Sequence, residues 1–195
     1  MKRILFALFF LTPNLGCAGP YEDGLAAYEQ GEYATALKVF RPLALTGKAD
    51  AQYALGVMYG NGEGIPKDEK QSVFWYRKAA DQGEALAQYN LGIIYQDGKG
   101  VPKDETQAVA WFFKAAKQAL PLAQYKLGLM YVEGRGTPKD ETQAAAWFFK
   151  AAKQGLALAQ YNVGVMYRDG RGTPKDETQA AAWFCPASVG MSERR

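Results

Sequence analysis

Apolar and polar positions along this chain repeat every 36 residues from about residue 50 onward. Ala51-Gln52-Tyr53 returns as Ala87-Gln88-Tyr89, Ala123-Gln124-Tyr125 and Ala159-Gln160-Tyr161. Residues 134–149 and 170–185 differ only at their last position, where Phe149 gives way to Cys185. Such near-identity points to internal duplication, with each unit set the same physical task. In the unit Leu86–Gln118, Ala87, Leu91, Ile94 and Tyr95 share one helical face, while Tyr89, Ile93 and Gln96 share another. A helix with two such stripes touches neighbours on both sides or lines a groove. Gly92 lies between the stripes. Glycine costs about 1 kcal/mol against alanine in a helix interior, so a close backbone approach by the partner helix is expected there.

The run Asp97-Gly98-Lys99-Gly100-Val101-Pro102 predicts a stop. Gly98 can take positive φ at the C-cap, and Pro102 cannot propagate the helix. Asp104 is the expected N-cap of a second helix, and Gln107 completes a capping-box pattern. Ala108, Trp111, Phe112, Ala115 and Ala116 then follow at i, i+3, i+4, i+7 and i+8. Lys114 and Lys117 fall near the helix end, where the helix dipole favours cations. Gly83 and Gly155 end second helices in two units; Ala119 stands at that place in the middle one, with Pro121 opening the next helix. No single unit can bury this much aromatic surface alone. Stacked units can, which predicts an all-α, right-handed α/α solenoid of antiparallel helix pairs.

The pattern A-x-x-L-G-x-x-Y-x-x-G-x-G-x-P-x-D followed by A-x-x-W-[FY]-x-K-A-A resembles the Sel1-like repeat family, a relative of the tetratricopeptide repeat. It is carried by Ala87, Leu91, Gly92, Tyr95, Gly98, Gly100, Pro102, Asp104, Ala108, Trp111, Phe112, Lys114, Ala115 and Ala116. The resemblance spans residues 51–184, as units 51–86, 87–122, 123–158 and a truncated 159–184. Residues 19–50 look like a shorter tetratricopeptide-type pair that caps the N-terminal end. The resemblance implies a protein or peptide partner held on a concave surface lined by first helices. The second apolar stripe would present Tyr53, Tyr89, Tyr125 and Tyr161 as one column, with Asn90, Lys126 and Asn162 beside it. Tyrosines give large contact area at low entropic cost, and amides can hold an extended backbone. The competing reading packs these tyrosines between neighbouring repeats. The family also offers an envelope hydrolase of the β-lactamase or penicillin-binding type. This chain lacks the paired cysteines of those relatives, and lacks Ser-x-x-Lys and Lys-Thr-Gly as well.

Composition narrows the chemistry further. There is no histidine, so Ser-His-Asp and Cys-His catalysis are excluded and the commonest zinc ligand is missing. No metal or cofactor is expected. The Asp-Glu pairs at 68–69, 104–105, 140–141 and 176–177 occur once per repeat at helix starts, where capping accounts for them. The glycine pairs of the turns lack the following Gly-Lys-[Ser/Thr] of a phosphate loop. Trp75, Trp111, Trp147 and Trp183 recur at the repeat period and read as core, with a sugar- or base-stacking platform as the other reading.

The N-terminus reads as an address. Met1-Lys2-Arg3 precedes the apolar run Ile4–Leu11 and then Pro13, the order of a secretory signal peptide over residues 1–18. The run is too short to cross a hydrocarbon core of roughly 30 Å. Cleavage after Ala18 fits the small residues Gly16 and Ala18. The alternative is lipidation of Cys17, which would anchor the protein in the envelope. Either route predicts a periplasmic or secreted location. Without Lys2 and Arg3 the balance is 21 basic against 20 acidic residues, too near neutral to favour nucleic acid. Pro186 interrupts the last repeat, so residues 185–195 are expected to be disordered. A shortened final helix would leave an apolar face open to a second copy of the chain.

Overall fold

A computed structural model describes residues 19–184. The leader over 1–18, Cys17, Cys185 and the tail over 185–195 lie outside the described residues. Ten helices and no strand occur among the described residues, which is the all-α helix-pair architecture expected from the 36-residue period. The described residues divide into two compact units, one ending at Lys103 and the other beginning at Asp104. The first holds α1 (Pro20–Glu29), α2 (Tyr33–Leu45), α3 (Ala49–Asn61), α4 (Glu69–Asp81) and α5 (Ala85–Asp97). The second holds α6 (Glu105–Lys117), α7 (Pro121–Glu133), α8 (Glu141–Lys153), α9 (Ala157–Asp169) and α10, described over Glu177–Phe184. Within each unit every helix packs on the next in sequence.

The two-stripe pattern has a direct structural cause. Helix α3 buries eight consecutive residues, Ala51 to Met58, so it is covered on every side. Helices α4, α6 and α8 instead bury one face, through Trp75 and Tyr76, Trp111 and Phe112, and Trp147 and Phe148. Small residues fill the spaces between. In the second unit Ala144, Ala151, Ala152 and Ala159 surround Phe148, Val163 and Met166. Deep burial of alanine lets helices approach closely, so each ring has a close-fitting seat.

At two helical glycines of the same register as Gly92 the neighbour is a ring rather than backbone. A Cβ on Gly56 would stand 2.6 Å from the ring of Tyr76, and one on Gly128 would stand 2.6 Å from the ring of Phe148. The glycine therefore makes room for an aromatic edge of the paired helix.

Capping follows the sequence at one end of its pattern and departs at the other. Asp104, Asp140 and Asp176 accept from the backbone N–H of Gln107, Gln143 and Gln179 at 3.0, 2.9 and 2.9 Å. Asp68 accepts from Lys70 and Gln71. The reciprocal half of a capping box is filled from elsewhere. The N–H groups of Asp68, Asp140 and Asp176 donate to the carbonyls of Tyr59, Tyr131 and Tyr167. One bond thus satisfies an orphan carbonyl at the end of the first helix and ties it to the start of the second.

Gly98 takes φ 74° at its C-cap, as expected. Ala119 adopts φ 63°, where its counterparts Gly83 and Gly155 sit at 97° and 86°. A non-glycine residue in the left-handed region costs roughly 1–2 kcal/mol, partly offset by glycine's greater freedom in the unfolded chain. Neither Gly83 nor Gly155 has anything within 4 Å of the place where a Cβ would stand, so the side chain of Ala119 gains little from packing at this register. Ala119→Gly is therefore expected to raise stability by about 0.5–1 kcal/mol, read as a higher urea midpoint at unchanged slope.

Candidate functional site: the first-helix face

The tyrosines marked by the sequence differ widely in exposure. Tyr53 and Tyr89 are 5% and 8% exposed, Tyr125 is half-buried, and Tyr161 is 60% exposed. In the first unit the Tyr53 ring lies 5.7 Å from that of Tyr76. In the second, Tyr125 meets Phe148 at 5.6 Å and Tyr161 meets Phe184 at 5.7 Å. Each of these three rings therefore rests on the aromatic residue of its own paired helix. Lys126 and Asn162 are half-buried.

Asn90 is only 3% exposed. Its side chain faces the hydroxyls of Tyr53 and Tyr76 and tempers the rise in both phenols, which burial drives well above the ordinary tyrosine range. Neither the Tyr76 hydroxyl nor Asn90 Nδ2 reaches hydrogen-bond geometry with a partner. A buried polar pair of this kind is costly unless something else completes it.

The glutamine of each Ala-Gln-Tyr triplet has a structural task that its spacing does not announce. Gln52, Gln88, Gln124 and Gln160 donate through Nε2 to the carbonyls of Ala44, Ala80, Ala116 and Ala152, at 3.1 to 3.3 Å. Gln52 and Gln124 also accept from Gln82 and Gln154, at 2.7 and 2.9 Å. The four carbonyl bonds run from a first helix back to the end of the preceding second helix, and Gln82 and Gln154 reach Gln52 and Gln124 from the C-caps of the second helices that follow. The signal for it in the sequence is the recurrence of glutamine between an alanine and a tyrosine in all four copies.

Other candidate chemistry resolves into packing. The four tryptophans are all buried, and the ammonium groups of Lys114 and Lys150 lie 3.9 and 4.0 Å above Trp111 and Trp147. Two glutamates of the Asp-Glu pairs face arginines: Arg135 bonds Glu105 at 3.0 Å and Arg171 bonds Glu141 at 2.8 Å. Arg171 and then Lys139 hold the Glu141 carboxyl below its ordinary range, the opposite of what a general acid needs. Ser72, the one serine among the described residues, is buried and donates to the Gly56 carbonyl at 2.7 Å. No cluster of three His, Cys, Asp or Glu suited to a metal occurs among the described residues, and no described helix is long and apolar enough to cross a membrane. A cavity of about 90 Å³ in the first unit is bounded by Asn61, Lys67, Glu69, Ser72, Ile94 and Lys99. It is far smaller than ordinary ligand pockets, and its two lysines are paired with Glu69 and Asp97.

Tandem helix–turn–helix units joined by repeated backbone and glutamine bonds define an α/α helical-repeat protein. The Sel1 repeat pattern matches residues 49–84, 85–120, 121–156 and 157–188, and the chain belongs to that family. It is similar to a protective antigen present in uropathogenic Escherichia coli strains that displays an SLR fold, with 36% identity over 89% of this chain and a TM-score of 0.82. It is similar also to a Sel1 repeat protein of Oxalobacter formigenes, with 36% identity over 82% of this chain and a TM-score of 0.79. The chain spans 38% and 66% of those two proteins, less than two thirds of either. Helicobacter pylori cysteine rich protein B shares the fold at 23% identity over 71% of this chain and 93% of its own, with a TM-score of 0.50. No curated protein matches the chain. Sel1 repeat proteins are generally protein-interaction scaffolds.

Proposed function

We propose that this protein is an exported scaffold or adaptor that holds a protein or peptide against first-helix surface within its units. The carrying observation is where the copies agree and where they diverge. Packing positions repeat almost unchanged, whereas in the second unit the position after each tyrosine reads Lys126 and then Asn162, both half-buried rather than core. Duplication preserves what holds units together, and variation at one register position of the first helices is where a partner would be distinguished. The expected leader places this activity in the periplasm or outside the cell, with a lipid anchor at Cys17 as the other export route. A protective antigen among the relatives is in keeping with export.

The test uses residues 19–195 as bait in envelope extract, with captured proteins read by mass spectrometry. A reproducible partner, lost with Lys126→Glu and Tyr161→Ala together, supports the scaffold reading. Both positions leave the deepest core alone, so the variant should stay folded by circular dichroism. Retention of the same partner by the folded variant removes the first-helix face from consideration. Recovery of bait alone favours self-association instead, for which Leu158, Tyr161 and Phe184 supply exposed apolar surface in the second unit.

A further inference from the structure

The second unit carries its charges unevenly. No acid stands between Glu105 and Glu133 or between Glu141 and Asp169, whereas Asp81 and Glu84 interrupt the corresponding stretch of the first unit. Lys117 and Lys153 take the place of Asp81, and Leu120 and Leu156 that of Glu84. The last turns of α6 and α8 therefore carry Lys114, Lys117, Lys150 and Lys153, all exposed. The acids of these two helices, Glu105 and Glu141, stand at the opposite ends, in ion pairs with Arg135 and Arg171. Aromatic contacts join the lysines into one surface. The Lys117 ammonium lies 5.6 Å over the Phe113 ring, Phe113 meets Trp147 edge-on at 5.9 Å, and Lys150 covers Trp147 at 4.0 Å. Lys114 stands 3.9 Å over Trp111. Phe113, at the centre, is 41% exposed among these cations.

We infer that the ends of α6 and α8 form a docking surface for an acidic peptide segment of a partner protein. Its carboxylates meet Lys114, Lys117, Lys150 and Lys153, and one apolar side chain lies against Phe113. This surface is separate from the first-helix positions proposed above and stands or falls without them. The helix dipole favours cations in a last turn, but it does not account for the missing acids, since α4 closes on Asp81. Like charges three residues apart on a helix repel, and α6 and α8 each carry such a pair, so the fold gains nothing from the arrangement. The indoles beneath Lys114 and Lys150 fix where those two ammonium groups stand, so arriving carboxylates meet cations already in place. Phe113 is the one large apolar side chain exposed on these two helices. That is enough to seat a single residue of a peptide, and too little apolar surface to enter a lipid layer.

The experiment measures binding of a fluorescent peptide of four Glu-Glu-Leu triplets to residues 19–195 by anisotropy at low salt. A peptide of Lys-Lys-Leu triplets and vesicles of phosphatidylglycerol are run beside it. The glutamate peptide is expected to bind and the lysine peptide not to. Lys117→Glu with Lys150→Glu should weaken binding by at least about tenfold, and Phe113→Ala should weaken it without changing its salt dependence. Lys38→Glu with Lys70→Glu makes the same change of net charge on exposed positions of the first unit, and should leave the affinity within about twofold. All these side chains are exposed, and an unchanged melting temperature separates a binding loss from an unfolding one. Failure of the glutamate peptide to bind the parent overturns the surface. Equal losses in the two charge-reversed pairs overturn it too, because net charge alone would then account for binding. Capture of vesicles without capture of the peptide gives the surface to a membrane and overturns the peptide partner.

Discussion

Gly136→Ala is expected to lower stability by about 3 kcal/mol or more. The residue sits at φ 66°, where an L side chain is strained. A Cβ there would stand 2.1 Å from the carbonyl oxygen of Glu105 and 2.3 Å from its carbonyl carbon. Those are backbone atoms in the first turn of α6, so no side-chain rotation can relieve the overlap. Gly155→Ala isolates the clash from the strain. Gly155 has φ 86° but nothing within 4 Å of the new methyl, so it should lose only about 0.5–1 kcal/mol, the strain being partly offset in the unfolded chain. Urea denaturation of both variants settles the matter. Equal losses would mean that the turn does not press on the helix it faces.

Gln124→Ala should cost about 2–4 kcal/mol, from a lost buried hydrogen bond together with a cavity. Gln124 is 4% exposed, donates to the Ala116 carbonyl at 3.2 Å and accepts from Gln154 at 2.9 Å. Gln124→Met keeps most of the volume and removes the polar contacts, so the difference between the two variants divides packing from hydrogen bonding. Gln154→Ala deletes the exposed partner alone and should cost under about 1 kcal/mol. If all three variants melt together with the parent, the glutamine bonds contribute nothing to joining the repeats.

The fold is legible because its signals are local and repeated. A tryptophan with a second ring after it, two alanines one turn later and an aspartate two turns earlier are enough to place α4, α6 and α8. What escapes such reading is any feature decided by an element distant in sequence. Gln107 suggests a reciprocal cap, but the N–H groups of Asp68, Asp140 and Asp176 go to tyrosine carbonyls at the end of the preceding helix. Gly92 suggests close backbones, while Gly56 and Gly128 admit rings. The tyrosine column is visible as a spacing, yet its exposure is not: Tyr53 and Tyr161 occupy the same register and differ from 5% to 60%.

The paired bonds at each joint have a consequence for how such a chain changes over generations. Arg135 reaches back 30 residues to Glu105, and Arg171 reaches back 30 to Glu141, with Gly136 and Gly172 seated on the same two glutamates. Donor and acceptor of both joints are thus carried in one copied segment. Unequal crossing-over between two nearly identical stretches, such as 134–148 and 170–184, would delete or insert a whole segment and rejoin matching halves. Copy number can then drift without a new interface having to be invented, while single-residue insertions would break the spacing at once.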